Sequence, residues 1–155
     1  MKIDLEKEKS KHLKAKKISL AMMISFAIIA LISITLFIVF SNYKIQLLIS
    51  LVGSVVSSIF ALLAIGFLVG GYVPHKYLSD FYYQLENKEE QSLSCSIKLG
   101  DKYVTLKKGL SFLAVYIDGQ EYYLADESFK QDIQEDKNYL IKLRGNYVVE
   151  IANHE

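Results

Sequence analysis

Few side chains in this chain are of a type and spacing that could do chemistry. The three histidines, His12, His75 and His154, stand on flanks and tail. A zinc site needs three or four converging nitrogen, sulfur or oxygen ligands. No second ligand lies within helical reach of His75, so it reads as a polar flank. The one cysteine, Cys95, can form no internal disulfide, which suits a reducing compartment. It lies on the apolar phase of the alternating run LSCSIKL and reads as a small core residue rather than a nucleophile. The acidic cluster Asp126, Glu127, Asp132, Glu135 and Asp136 lacks the spacing of an EF-hand loop and reads as a solvated helix face. The chain carries no HExxH, GxSxG, Walker A or Rossmann glycine pattern. The expectation is a protein with no catalytic residue, no metal and no cofactor, and so not an enzyme.

Binding is the remaining chemistry. Lys98, Lys102, Lys107, Lys108, Lys142 and Arg144, with Tyr103, could line a groove for single-stranded nucleic acid. From Leu93 to Glu155, however, eight basic residues face ten acidic ones, a net charge of −2. Phosphate binding needs the opposite sign, so nucleic acid is disfavoured as a partner.

The elements that must carry these residues begin with two uncharged apolar runs, Ile18–Phe40 of 23 residues and Leu47–Val73 of 27, separated by SNYKIQ. About 20 apolar residues at a 1.5 Å rise span the ~30 Å hydrocarbon core of a bilayer. Each run is long enough to cross it, and core helices of soluble proteins rarely stay apolar on every face. The first run is also too long for a signal peptide. Seven lysines precede it (Lys2, Lys7, Lys9, Lys11, Lys14, Lys16 and Lys17) against Asp4, Glu6 and Glu8, while the loop carries only Lys44. Basic flanks stay on the cytoplasmic side, so both termini are expected inside. Neither run holds an Asp, Glu, Lys, Arg or His, which argues against a transport path. Small residues recur every four positions at Gly53, Ser57 and Ala61, again at Ser50, Ser54 and Ser58, and then at Gly66 and Gly70. Such stripes let helix backbones approach in lipid. Gly53, Ser57 and Ala61 are the candidate helix-packing residues, within the hairpin or against another subunit.

Gly70, Gly71 and Pro74 mark the expected exit from the second run. A short amphipathic helix is expected next, with Leu78, Phe81, Tyr82 and Leu85 on one face; simple continuation of the membrane helix is the competing view. From Leu93 the period becomes two. Leu93, Cys95, Ile97 and Leu99 lead to a turn at Gly100-Asp101, then KYVTLKK, then LSFLAVYI. Asp118-Gly119 is a two-residue hairpin turn that sets Ile117 opposite Gln120, Val115 opposite Tyr122 and Leu113 opposite Leu124. For NYLIKLR and YVVEI, a three-residue loop from Arg144 to Asn146 with a bulge keeps the apolar phase. Five or six short strands with one helical turn before the last hairpin close most economically into a small barrel.

The chain thus divides into a basic cytoplasmic arm (1–17), a transmembrane α-hairpin (18–73, with helices over 18–40 and 47–73), an amphipathic linker (74–92) and a small cytoplasmic β-barrel domain (93–155). The barrel is OB-like, with SH3-like as the alternative. A fragment from about Ser92 onward is expected to fold alone. A small barrel on a membrane hairpin resembles, in architecture only, the NfeD-like membrane proteins; no motif residue carries the likeness, and no family is assigned. With Leu113, Val115, Ile117, Tyr122 and Leu124 facing the core, Phe112, Tyr116 and Tyr123 point to the other side of the hairpin and are the candidate protein-docking residues; cover of this face by the linker, through Phe81 and Tyr82, is the competing view. The expected function is a membrane-anchored adaptor or accessory subunit. Its partners would be the lipid bilayer and a membrane or cytoplasmic protein, or a second copy of itself. A membrane-tethered nucleic-acid binder and a small enzyme or transporter component are the alternatives.

Overall fold

Residues 2–41, 47–106, 109–131, 133–134 and 137–153 are described by a computed structural model of the chain. Its helices are α1 (Leu5–Ser41), α2 (Leu47–Gly66) and α3 (Val73–Glu86), with a π-helical turn, Phe67–Tyr72, joining the last two. Its strands are β1 (Glu90–Thr105), β2 (Ser111–Ile117), β3 (Gln120–Leu124), β4 (Asn138–Arg144) and β5 (Tyr147–Asn153), with a 3₁₀ turn at Glu127–Gln131. The chain separates into two units: a helical one, Lys11–Lys76, and a sheet unit made of Met1–Ser10 with Tyr77–Glu155.

α1 starts where its first donors find a cap. The Asp4 carboxylate accepts the Lys7 N–H at 3.0 Å, and Glu6 and Glu8 occupy the positive end of the helix dipole. From Leu5 onward the basic arm is helical and continues without a break into the apolar stretch. The expected stop at Gly70, Gly71 and Pro74 is also absent, and the competing view of a continued helix is the one found. The π turn gives the reason. Val73 N–H reaches back five residues to the Leu68 carbonyl, and Pro74, which has no N–H to place, follows at the second position of α3.

In the helical unit the two apolar helices lie antiparallel. A Cβ at Gly53 would rest 3.5 Å from Phe37, and Ser57 Oγ donates to the Ala30 carbonyl at 3.1 Å. Phe26 packs on Phe60 and Phe67, with centroids 5.8 and 5.5 Å away. A Cβ at Gly71 would fall 2.5 Å from Ser19 Oγ, so the backbones there approach closely. Small residues line the contact, with Ser19, Ala30, Ser57 and Ala64 buried. The large ones point outward: Leu62 is 68 % exposed, and Ile18, Leu31 and Val69 are exposed likewise. Both helices are long and apolar enough to cross a bilayer.

In the sheet unit β1 decides the architecture. The expected turn at Gly100-Asp101 does not occur; β1 runs through it as one bent strand, so five strands form. A Cβ at Gly100 would meet the Ala114 carbonyl oxygen at 2.7 Å, and the β1–β2 register shifts between Leu99 and Tyr103. Glycine here permits a bend against a neighbouring backbone. The bend lets one strand serve two partners. Glu90 to Ser96 pair with β4, and Ile97 to Thr105 pair with β2. The ladder runs β1-β2-β3-β5-β4 and returns to β1, antiparallel except between β3 and β5, which makes the sheet mixed.

The β2–β3 hairpin turns at Asp118 and Gly119, both at positive φ, with Ile117 opposite Gln120 and Val115 opposite Tyr122. The pairing ends at Ala114 and Tyr123, because Leu124 crosses to Val148. The β4–β5 hairpin corrects the expected three-residue loop. Arg144 pairs with Tyr147 around Gly145-Asn146, and Leu143 pairs with Val148. A register shift between Lys142 and Leu143 then sets Ile141 opposite Ile151. The bulge restores the apolar phase within the strand rather than in the turn. The core collects Ile97, Val115, Ile117, Leu124, Tyr139, Ile141, Leu143, Val148 and Ile151, with Phe129 from the 3₁₀ turn. Further members from outside the strands include Leu85 of α3 and Ile3 of the arm, whose N–H bonds the Val149 carbonyl at 3.1 Å.

Candidate functional site

The outer face of the β2–β3 hairpin holds the aromatic residues that the strand phase points away from the core. Their surroundings differ. Phe112 is only 8 % exposed, because Phe81 of α3 stacks on it at 4.8 Å and Tyr147 meets it edge-on at 5.3 Å. It therefore belongs to an inner aromatic layer and not to an open surface. Tyr123 is half-buried, 5.8 Å from Tyr147, and the Glu121 carboxylate bonded to its phenol raises its pKa. Tyr116 is 42 % exposed and stands opposite Glu121 in the ladder. Of the three sequence-derived docking residues, Tyr116 is open, Tyr123 is partly covered and Phe112 is closed over.

The cover comes from α3. Tyr77, Asp80 and Gln84 face Leu106 and Leu110 across a cleft of about 410 Å³ whose floor is Phe81, Phe112 and Tyr147. The competing expectation, that the linker covers this face through Phe81, holds at Phe112 and Tyr147. Burial raises the Tyr147 pKa, consistent with its place in this layer.

The basic residues do not form a free stripe. Lys142 lies between Glu90 at 3.3 Å and Glu150 at 3.0 Å. Arg144 pairs with Glu90 at 3.1 Å and donates to the Glu86 carbonyl at 2.6 Å. The Arg144 bond, with Lys142 beside it, holds the Glu90 carboxyl below its ordinary pKa, and the Glu150 and Glu90 bonds raise that of Lys142. Tyr103 bonds the Glu127 carboxylate. Lys98 and Lys102 are exposed, while Lys107 and Lys108 lie outside the described residues.

Cys95 is buried, and desolvation pushes its thiol pKa up, away from nucleophile chemistry. In the acidic segment, Asp126 accepts the Ser128 N–H at 2.8 Å, and Glu127 is exposed on the short 3₁₀ turn Glu127–Gln131, whose Phe129 plugs the core from the other side. Asp132, Glu135, Asp136 and His154 lie outside the described residues. Among those described, no three His, Cys, Asp or Glu residues gather as metal ligands would.

The helix-packing candidates lie together. Gly53 and Ser57 face α1, and Ala61 is half-buried beside them along a groove that includes Ile34 and Phe37. Ser54 and Ser58 face outward and bond back to the Leu51 and Ser54 carbonyls. One contact was not legible in either segment alone: His12 and His75 meet, Nδ1 to Nδ1, at 3.0 Å. No family model, curated protein or solved structure matches this chain.

Proposed function

We propose that this chain is a two-pass integral membrane protein with both termini cytoplasmic, an adaptor or accessory subunit whose sheet is an OB-like barrel that docks a protein partner. The hairpin reading rests on the length of α1 and α2 and on the large apolar side chains they leave exposed. The orientation rests on the lysines before the first span. A ladder that returns from β4 to β1, a parallel β3–β5 pair and a short helical turn between β3 and β4 favour an OB-like over an SH3-like barrel.

The observation that carries the docking role is Tyr116. It keeps a large exposed aromatic surface on a strand face whose neighbours Phe112 and Ala114 are covered. Interface energy concentrates in such aromatics. The nucleic-acid alternative loses support because Lys142 and Arg144 are engaged by the protein's own carboxylates and Phe81 fills the aromatic floor.

The test places a photo-crosslinking phenylalanine at position 116, or at Asp101 as a control, in native membranes. A discrete protein adduct is expected from 116 and not from 101. Tyr116→Ala should cost about 2 kcal/mol of partner binding and leave folding intact. Retained binding in that variant removes the aromatic face as the docking site. Salt-sensitive binding of single strands by the purified protein would favour the nucleic-acid alternative. For topology, a fluorescent protein fused to the C-terminus should glow and alkaline phosphatase should be silent; the reverse overturns the orientation.

A further inference from the structure

The helical unit brings together two titratable side chains distant in sequence. His12 of α1 and His75 of α3 face each other with Nδ1 atoms 3.0 Å apart, ring centroids 5.2 Å apart and planes tilted by 36°. Both rings are half-buried. An imidazole nitrogen donates when it carries a proton and accepts when it is bare. A bond between two Nδ1 atoms therefore requires one of them protonated and the other not. When both rings are cationic, both nitrogens are donors, the bond has no acceptor, and two positive charges face each other.

We propose that His12 and His75 form a proton-controlled clasp, closed at neutral pH and released in mild acid, that holds α1 to the start of α3. Histidine is the side chain whose charge ordinarily changes between about pH 5 and 8. The closed pair holds at most one extra proton and the open pair holds two. Acid therefore favours the open form. Among the described residues, other charged and titratable groups flank the clasp, the phenol of Tyr77 two positions beyond His75 included. Glu8 and Lys9 lie one turn back on α1. Lys16 lies one turn on, its ammonium 5.9 Å from the Tyr72 ring, which is one turn back from His75. Lys11 and Lys76 are adjacent in sequence and exposed.

The clasp closes beside an irregular turn. The π turn Phe67–Tyr72 immediately precedes α3, and such interruptions of an α-helix are rare and concentrate at functional sites. Further along the helices the contacts do not titrate: Ser57 bonds the Ala30 carbonyl, and Phe26 packs on two phenylalanines. Protonation thus loosens one end of the hairpin and leaves the rest packed.

The experiment uses the full chain in nanodiscs with Cys95→Ala and spin labels on Lys11→Cys and Lys76→Cys. Pulsed electron resonance is read at about pH 7.5 and about pH 5.5, either side of the histidine range. A narrow distance distribution is expected at the higher pH and a longer, broader one at the lower. His12→Gln and His75→Gln should each abolish the change, since an amide both donates and accepts at every pH. An unresponsive wild type, or a wild-type response in both variants, overturns the proposal. So does a response that vanishes with a chelator, which would make the shared species a metal ion. Where the variants fail to pack, the ring-proton resonances of the unsubstituted protein decide. Coupled titration of His12 and His75 supports the clasp, and two independent simple curves overturn it.

Discussion

Val115 has no exposed surface and sits within the hydrophobic core cluster. Val115→Asp places an unpaired charge there, which costs more than a small sheet retains, several kcal/mol. The dispersed amide spectrum of the sheet unit should collapse at neutral pH; an unchanged melting midpoint would mean the side chain faces outward. Gly100 makes a subtler case. Its missing Cβ is the space occupied by the Ala114 carbonyl, so Gly100→Ala must push two strands apart. A loss of about 1–3 kcal/mol is expected by denaturant unfolding. Gly66→Ala, which meets nothing within 4 Å, should cost nothing by that route. The contrast separates a glycine needed for close approach from one that is merely present.

Helices and strands depend on each other within the sheet unit. Leu85 is 1 % exposed in the core, and Ile3 adds a buried side chain and a backbone bond at Val149. A fragment from Ser92 to Glu155 therefore lacks two members of its own core. It should unfold at lower denaturant than a fragment of residues 77–155 joined to residues 2–10. Leu85→Ala in the longer fragment should cost about 2–5 kcal/mol. Equal midpoints for the two fragments would make the helical additions dispensable. In the helical unit, Gly71→Val collides with Ser19 whereas Gly66→Val meets open space. The first should lower the thermal midpoint in detergent and the second should not. Gly53→Ile and Ser57→Ile belong with the first, because both face α1.

On the scale of the sheet unit, Arg144, Glu90, Lys142 and Glu150 form a chain of ion pairs that Lys2 extends at Glu150. Glu90 has a lowered pKa. Its contribution is therefore full above the ordinary carboxylate value of about 4.3 and is lost as pH falls through the lower folded value. Lys142 has a raised pKa. Its contribution is full below about 10.4 and is lost as pH rises through the higher folded value. Stability from this network should be flat at neutral pH and decline toward both extremes. Glu90→Gln should make the acid limb shallower in a series of denaturant midpoints against pH. Added salt should weaken the network modestly, since its members are solvent-accessible. An acid limb unchanged by Glu90→Gln would assign it to other carboxylates.

Signals that act over a few residues were readable in the chain. Two uncharged runs imply helices of bilayer length, because hydropathy is a local sum. Asp118-Gly119 implies its turn, because only certain residues accept positive φ. The apolar phase of β2 places Leu113, Val115 and Ile117 inward, because side chains alternate along a strand. What failed to show was any choice settled by a distant neighbour. Gly100-Asp101 has the composition of a turn, yet β1 continues because β4 and β2 both take a partner from it. Pro74 has the composition of a stop, yet a π turn absorbs it. Phe112 alternates outward, which left docking and cover by the linker as equal readings, and only the arrival of Phe81 from α3 decided between them. Ile3 carries no periodic signal and still enters the core, and His12 meets His75 only because the fold of the helical unit brings together segments 63 residues apart. Local propensity and period were encoded segment by segment. Which backbone leaves room for another, and which side chain covers a face, depended on contacts between segments far apart in sequence, and only the tertiary structure decided those.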